Sequence, residues 1–277
     1  MGRGSLQGRR SLIAVDAHAH YHPCFPLEPF LLSAARGLRL HGGGRPGALV
    51  LTEGRGERAF ETLSRPGARS GWRVQSLEKG ASFRLEGPGS GDELLVVRGR
   101  QLRAREGVEV LSVGAVRALD DGEPVATTIE AVRAAGGIPL LPWGFGKWWG
   151  RRGRVVLRCI EEAAPAELFL GDSGGRLARF GRPYPLVRAR ERGLRILSGS
   201  DPLPFAREGT RAGTFGSLLD VEIDSERPAA SLLEALRKPT LGIVPFGRGL
   251  SPIHFVLNQA QMQWCRRRLG PRPEAGE

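Results

Sequence analysis

Short apolar runs alternate with amphipathic stretches along the chain, and this rhythm predicts a parallel α/β fold. Strand-like runs fall at about residues 11–16, 48–51, 108–113, 138–141, 167–170 and 195–198, with two more at 218–223 and 241–244. Helical spacing of apolar positions marks 27–40, 57–63, 125–135, 154–163, 186–192 and 229–236, several of them stopped by glycines such as Gly42-Gly43-Gly44 and Gly136-Gly137. The stretch from 72 to 105 differs. It reads as alternating pieces at 72–77, 81–85, 93–97 and 101–104 divided by glycine-bearing turns, which predicts an antiparallel β-meander inserted between barrel-type units. One barrel domain over 11–269 is expected, with 206–269 either completing the barrel or capping it, and disorder is expected at 1–10 and 270–277.

Carboxylates recur just past the ends of the predicted strands: Asp16, Glu53, Asp172 and Asp201. In a β/α barrel that rim is where active sites are built, although an Asp after a strand also caps the next helix. The first of these positions opens the densest chemistry in the chain. Three of the five histidines, His18, His20 and His22, lie in the run that starts at Asp16, directly after Leu12-Ile13-Ala14-Val15. Side chains two residues apart on a strand point the same way, so Asp16, His18 and His20 are expected on one face. Two imidazoles and a carboxylate suit zinc, manganese or iron.

Composition narrows the setting. The 277 residues are 40% apolar and 25% charged, as in a soluble globular protein. No run reaches the roughly 18 to 20 apolar residues of a membrane helix, and the basic start lacks the apolar core of a signal peptide, so a cytoplasmic location without membrane partners is expected. Cys24, Cys159 and Cys265 form neither a disulfide framework nor a metal knuckle, though Cys24 lies close enough in sequence to be a fourth ligand. The net charge of +12 is carried almost wholly by scattered arginines, since Lys79, Lys147 and Lys238 are the only lysines. A small anionic substrate is the partner this favours; nucleic acid is the weaker alternative, and the runs at 147–154 and 266–268 form no recognisable nucleic-acid module.

The segment Val15-Asp-Ala-His-Ala-His20 resembles the opening motif of the PHP (polymerase and histidinol-phosphatase) superfamily. Ala48-Leu-Val-Leu-Thr-Glu-Gly54 is similar to its second motif, usually T-D-H, and Gly107–Gly114 to the stretch that leads to a ligand glutamate. Residues 134–142 resemble the helix end and strand that deliver a histidine, and Gly199-Ser-Asp201 resembles the final G-S-D-x-H. Order and spacing match over roughly residues 10 to 205. The resemblance implies a distorted seven-stranded TIM-like (β/α)7 barrel and metal-dependent phosphoester hydrolysis. Gly54, Ala115 or Val116, Trp143, and Pro202 or Leu203 stand where the family has further ligands. What carries over is Asp16, His18, His20 and Asp201, with Glu53 a conservative stand-in. The amidohydrolases share the first-strand H-x-H and the last-strand Asp, but their intermediate histidines are missing here.

The resulting expectation is one divalent metal held by His18, His20 and Asp201, with Glu53 as a further ligand. Asp16 or Asp201 would orient the metal's water or accept its proton, and Asp172 is a second candidate base. Lys147, Arg151, Arg152 and Arg176 are candidates to hold a phosphate. Trp143, Trp148 and Trp149 either stack on a substrate or plug the barrel mouth. The competing reading is a degenerate, non-catalytic barrel that binds an anionic ligand, a protein or nucleic acid through its basic rim.

Overall fold

The computed structural model describes residues 12–65, 71–179 and 181–269, so the expectations for 1–10 and 270–277 lie outside the described residues. Among the described residues eleven strands form one sheet, nine of them along a nearly closed, barrel-shaped path. In chain order they are β1 (Leu12–Ala19), β2 (Gly47–Glu53), then β3 (Arg73–Glu78) and β4 (Ser82–Glu86) outside the main path, followed by β5 (Glu93–Arg103), β6 (Glu109–Val113), β7 (Ile138–Pro142), β8 (Phe169–Ser173), β9 (Arg195–Gly199), β10 (Phe215–Asp220) and β11 (Ile243–Gly247). Around them lie α1 (Leu27–His41), α2 (Ala59–Ser64), α3 (Val125–Ala134), α4 (Arg151–Glu162), α5 (Tyr184–Glu191), α6 (Pro228–Arg237) and α7 (Pro252–Leu269). This is the parallel-rich α/β fold that the alternation predicts, in the distorted TIM-like barrel form that the motif resemblance implied.

Neighbours around the wall run β1, β2, β5, β6, β7, β8, β9. All are parallel except β6, which is antiparallel to both β5 and β7. The N-terminal end of β6 therefore meets the C-terminal ends of the others, and Glu109 joins the rim where carboxylates were expected. The meander is also less separate than its pattern suggests. β3 and β4 lie off the barrel, but β5 is a wall strand, paired over seven positions with β2. The expected turn at Arg98-Gly99-Arg100 is in fact strand interior. Gly99 has room for no side chain because Val50 and Thr52 fill the space beside it, so the two predicted pieces fuse into one strand of eleven residues.

Residues 206–269 add β10 and β11 to the sheet, β10 pairing antiparallel with β1. Helix α6 packs Leu232, Leu233 and Leu236 against the barrel interior. Helix α7 has no sequence forecast behind it. Ile253, Val256 and Leu257 are exposed on it, so its apolar residues form no single buried stripe.

Three apolar clusters define which way each strand residue points. The interior holds Val15 and Ala17 of β1, Val50 of β2, Leu95 and Val97 of β5, Leu111 and Val113 of β6, Leu140 of β7, Phe169 of β8 and Leu197 of β9. The opposite faces pack against helices: Ala14, Leu49 and Leu51 with α1 and α2, and Val110, Leu141 and Leu170 with α4 and α5. In α1, Phe30, Leu31, Ala34, Ala35 and Leu38 make one buried stripe, and each large side chain contributes about 1.5–3 kcal/mol of burial.

The barrel closes where β9 approaches β1 and β10 without a regular ladder. The Asp201 N–H donates to the His18 carbonyl at 2.8 Å, and the Ser198 N–H donates to Ser217 Oγ at 2.9 Å. Gly199 is required at this seam, because a methyl group there would overlap the backbone of His18.

Candidate metal centre

Alternation along each strand decides which rim residues enter the barrel mouth. In β1, Val15 and Ala17 face the interior and Ala14 faces α1. A regular strand would send His18 outward with Ala14 and Asp16. The β1–β2 register shifts between Asp16 and Ala19, however, and Ala19 packs on the α1 side. This irregularity changes the alternation, so His18 and His20 turn into the mouth while Asp16 stays on the other side.

The two imidazole Nε2 atoms face each other at 3.0 Å, and both approach Asp201 Oδ1, at 3.6 and 3.8 Å. One ligand atom from each of these three residues lies within 4.8 Å of the others. Gln101, from β5, places its Oε1 3.2 Å from His18 Nε2. Ser173 donates its hydroxyl to Asp201 Oδ2 at 3.2 Å, leaving Oδ1 toward the histidines. Asp201 has a φ of 45°, a left-handed conformation that Asp tolerates better than most residues and that marks many functional turns.

Burial holds both imidazoles neutral. His18 is lowered from the ordinary histidine value chiefly by desolvation, and His20 is lowered to about 3 by desolvation and by the adjacent His18. Burial alone would raise the Asp201 carboxyl, but attraction to His18 or His20 whenever either takes up a proton, the Lys147 ammonium and the Ser173 hydroxyl outweigh it and hold it below the carboxylate range. Neutral imidazoles beside an ionised carboxylate are the protonation state a divalent cation requires. Two nitrogens and one oxygen fit zinc, manganese or iron. A cation also accounts for the crowding of both Nε2 atoms, Gln101 Oε1 and Asp201 Oδ1 about one point, since each neutral ring has at most one N–H for these contacts.

The other sequence candidates fall elsewhere. Asp16 is fully buried and receives four donors: Ser200 N–H at 2.9 Å, Ser200 Oγ at 2.6 Å, Gly213 N–H at 2.9 Å and His18 N–H at 3.3 Å. Burial pushes its pKa up to about 6 although these donors oppose the shift. The expected common face of Asp16, His18 and His20 is therefore broken, and Asp16 ties the β1–β9 seam instead. Glu53 lies on the helix side with Leu49 and Leu51, where its Oε1 accepts the Phe60 N–H of α2 at 2.7 Å. Its carboxyl is raised by burial, and it is not among the three clustered ligands. Asp172 alternates outward with Leu170 and accepts Arg176 Nε at 2.9 Å and Nη2 at 3.3 Å, so it positions an arginine. Cys24 is exposed and outside the ligand group. His22 stacks on His20 at 5.4 Å and approaches Glu57 at 3.8 Å.

Lys147 Nζ donates to Glu109 Oε2 at 2.6 Å. Burial alone would lower its pKa, but Glu109 and Asp201 raise it, so the ammonium stays charged beside the cluster. Arg151 and Arg152 are exposed at the start of α4, where Arg152 donates to the Gly146 carbonyl at 3.3 Å. Gln101, Glu109 and Ser173 were not singled out from sequence. Each is two positions from an interior residue or a glycine on its strand, namely Gly99, Leu111 and Gly171.

A cavity of about 330 Å³ lies between the loops that follow β7 and β8, and its lining includes Trp143, Phe145, Trp148, Trp149, Tyr184 and Phe255, together with Arg176. None of the three candidate ligands lines it.

No family model and no curated protein sequence matches the chain. Among solved structures it is similar to PsfC from Pseudomonas syringae PB-5123, at 13% identity and a TM-score of 0.57 over 92% of this chain and 99% of that one. It is also similar to the lesion-specific endonuclease PfuEndoQ from Pyrococcus furiosus, at 11% identity and a TM-score of 0.45 over 96% of this chain and 68% of that one. Endonuclease Q in complex with a 27-mer duplex bearing an abasic lesion gives 12% identity and a TM-score of 0.46, covering 87% of this chain and 60% of that one. The likeness to PsfC is one of fold. No helix among the described residues is long and apolar enough to cross a membrane.

Proposed function

We propose that this protein is a metal-dependent hydrolase of phosphoesters, a divergent relative of the PHP superfamily with a reduced metal site. The observation that carries the reading is the convergence of His18 Nε2, His20 Nε2 and Asp201 Oδ1 at the barrel mouth. His18, His20 and Asp201 would hold one zinc, manganese or iron ion, and the Gln101 amide oxygen is close enough to His18 to complete the set. When bound, such an ion would supply Lewis acidity toward a phosphoryl oxygen and toward a water molecule.

The chain's own groups supply the rest. Ser173 fixes the Asp201 carboxylate so that one oxygen faces the ligands. Lys147, kept charged by Glu109, supplies a fixed positive charge beside Asp201. It binds a non-bridging phosphate oxygen and balances charge that grows on the phosphoryl group. Among the sequence candidates only Asp201 reaches the cluster, because Asp172 is bound to Arg176 and Asp16 is closed within the seam; its lowered pKa suits it to holding the ion and orienting the water, not to taking a proton.

The test is metal content by elemental mass spectrometry on untagged protein, beside hydrolysis of 4-nitrophenyl phosphate. About one equivalent of zinc, manganese or iron is expected, lost together with turnover in the His18→Ala/His20→Ala variant. A folded protein that takes up no metal even after reconstitution would refute the proposal and favour the non-catalytic binding reading.

A further inference from the structure

Exposed aromatic rings gathered around one cavity call for an explanation that stability does not provide. Trp149 and Tyr184 are each 66% exposed, and Phe145 is 46% exposed. Leaving such rings in water costs burial free energy, and a rim of them on a soluble protein marks a place where something binds. Their arrangement is ordered. Phe145 meets Trp149 edge-on at 5.1 Å and Phe255 edge-on at 4.9 Å, while Trp148 and Phe255 are buried behind them. The volume of about 330 Å³ lies at the lower end of the range for small-ligand sites.

Two chain connections join this cavity to the metal centre. The loop after β7 contributes Trp143, Phe145, Trp148 and Trp149 to the lining and also carries Lys147, the cation beside Asp201. On the other side, Arg176 lines the cavity while bound to Asp172, the neighbour of the Ser173 that orients Asp201. The two loops that line the cavity therefore also carry Lys147 and Ser173, the groups that act on Asp201.

We propose that the cavity holds the organic part of the substrate, a planar heteroaromatic ring of nucleobase size, so that the phosphoester extends past Lys147 toward the cluster. This rests on the phosphoesterase reading for the role of the site, but ring binding itself needs no metal. Aromatic side chains of this kind bind a planar ring by stacking, which contributes about 1–3 kcal/mol per ring, and the Arg176 guanidinium adds a planar cationic partner.

A matched pair of probes isolates the ring. Adenosine 5′-monophosphate and ribose 5-phosphate carry the same sugar phosphate with and without the heterocycle. Isothermal titration calorimetry on the metal-free full chain should show at least tenfold tighter binding of the monophosphate nucleotide. In the Trp149→Ala/Tyr184→Ala variant, whose altered residues are largely exposed, that preference should collapse toward one. The His18→Ala/His20→Ala variant should keep the preference while losing turnover. Equal affinity for the two probes, or a preference untouched by Trp149→Ala/Tyr184→Ala, would overturn the proposal even if phosphoesters are hydrolysed. A preference that persists in a protein without turnover would sustain the cavity assignment and sink the hydrolase reading alone.

Discussion

At the residue scale, the carboxylate nearest the histidines in sequence is the one least involved with them. Asp16 satisfies four buried donors from three stretches of chain, so Asp16→Ala should cost about 3 kcal/mol or more by urea unfolding, with Asp16→Asn intermediate. The histidines make the opposite kind of contribution. In metal-free protein both have folded values below the ordinary 6.5, and His20 lies near 3. Below 6.5 the unfolded chain takes up protons that the native state resists, so their stabilising contribution is lost as pH falls from about 6.5 toward 3. Asp16, raised from 3.8 to about 6, acts in the reverse sense, because the native state holds its proton more tightly across that window. The histidine part is therefore read as a difference. Between pH 7 and 5, with chelator present, the urea midpoint of the native sequence should fall further than that of His18→Gln/His20→Gln. Parallel curves would contradict the assigned burial.

At the element scale, the site depends on the shift in β1 and on the close approach of β1 to β9. Gly199 allows that approach, and Gly199→Ala forces the two strands apart at His18. We expect a loss of about 1–3 kcal/mol in stability, of the kind that overpacking produces. The metal affinity should fall at the same time, since His18 and Asp201 lie on opposite sides of the seam. Denaturation and metal titration of this one variant check both parts. A variant with native stability and affinity would mean that the strands can separate at no cost to the site. The meander gives a second case. Gly99 marked a turn by composition yet lies within β5, because what removes its side chain is contact with Val50 and Thr52 of the neighbouring strand.

At the scale of the whole molecule, a cation bound by His18, His20 and Asp201 would clip the first and last strands of the barrel, so metal should stabilise the entire fold. At one hundred times the dissociation constant the gain is about 2.7 kcal/mol, seen as a rise in Tm that Asp201→Asn abolishes. Much of this architecture was legible in the sequence. Apolar runs alternating with amphipathic stretches specified an α/β fold, the motif resemblance implied a barrel, and Asp16-Ala-His18-Ala-His20 after the first run, with Asp201 after a late one, pointed to a metal site at its mouth. Those features are local: a strand needs a run of apolar residues, a helix needs a stripe, and an imidazole carries its chemistry wherever it lies. The direction of each rim carboxylate was not legible, because barrel strands are buried on both faces and show no polar alternation from which to count. Only the tertiary structure, through the register shift in β1, the reversed β6 and the packing of Leu49, Leu51 and Leu170 against helices, turned Asp16, Glu53 and Asp172 away from the cluster and brought Gln101, Glu109, Lys147 and Ser173 toward it. The sequence determined which chemistry the protein possesses, and long-range packing decided which of those groups meet.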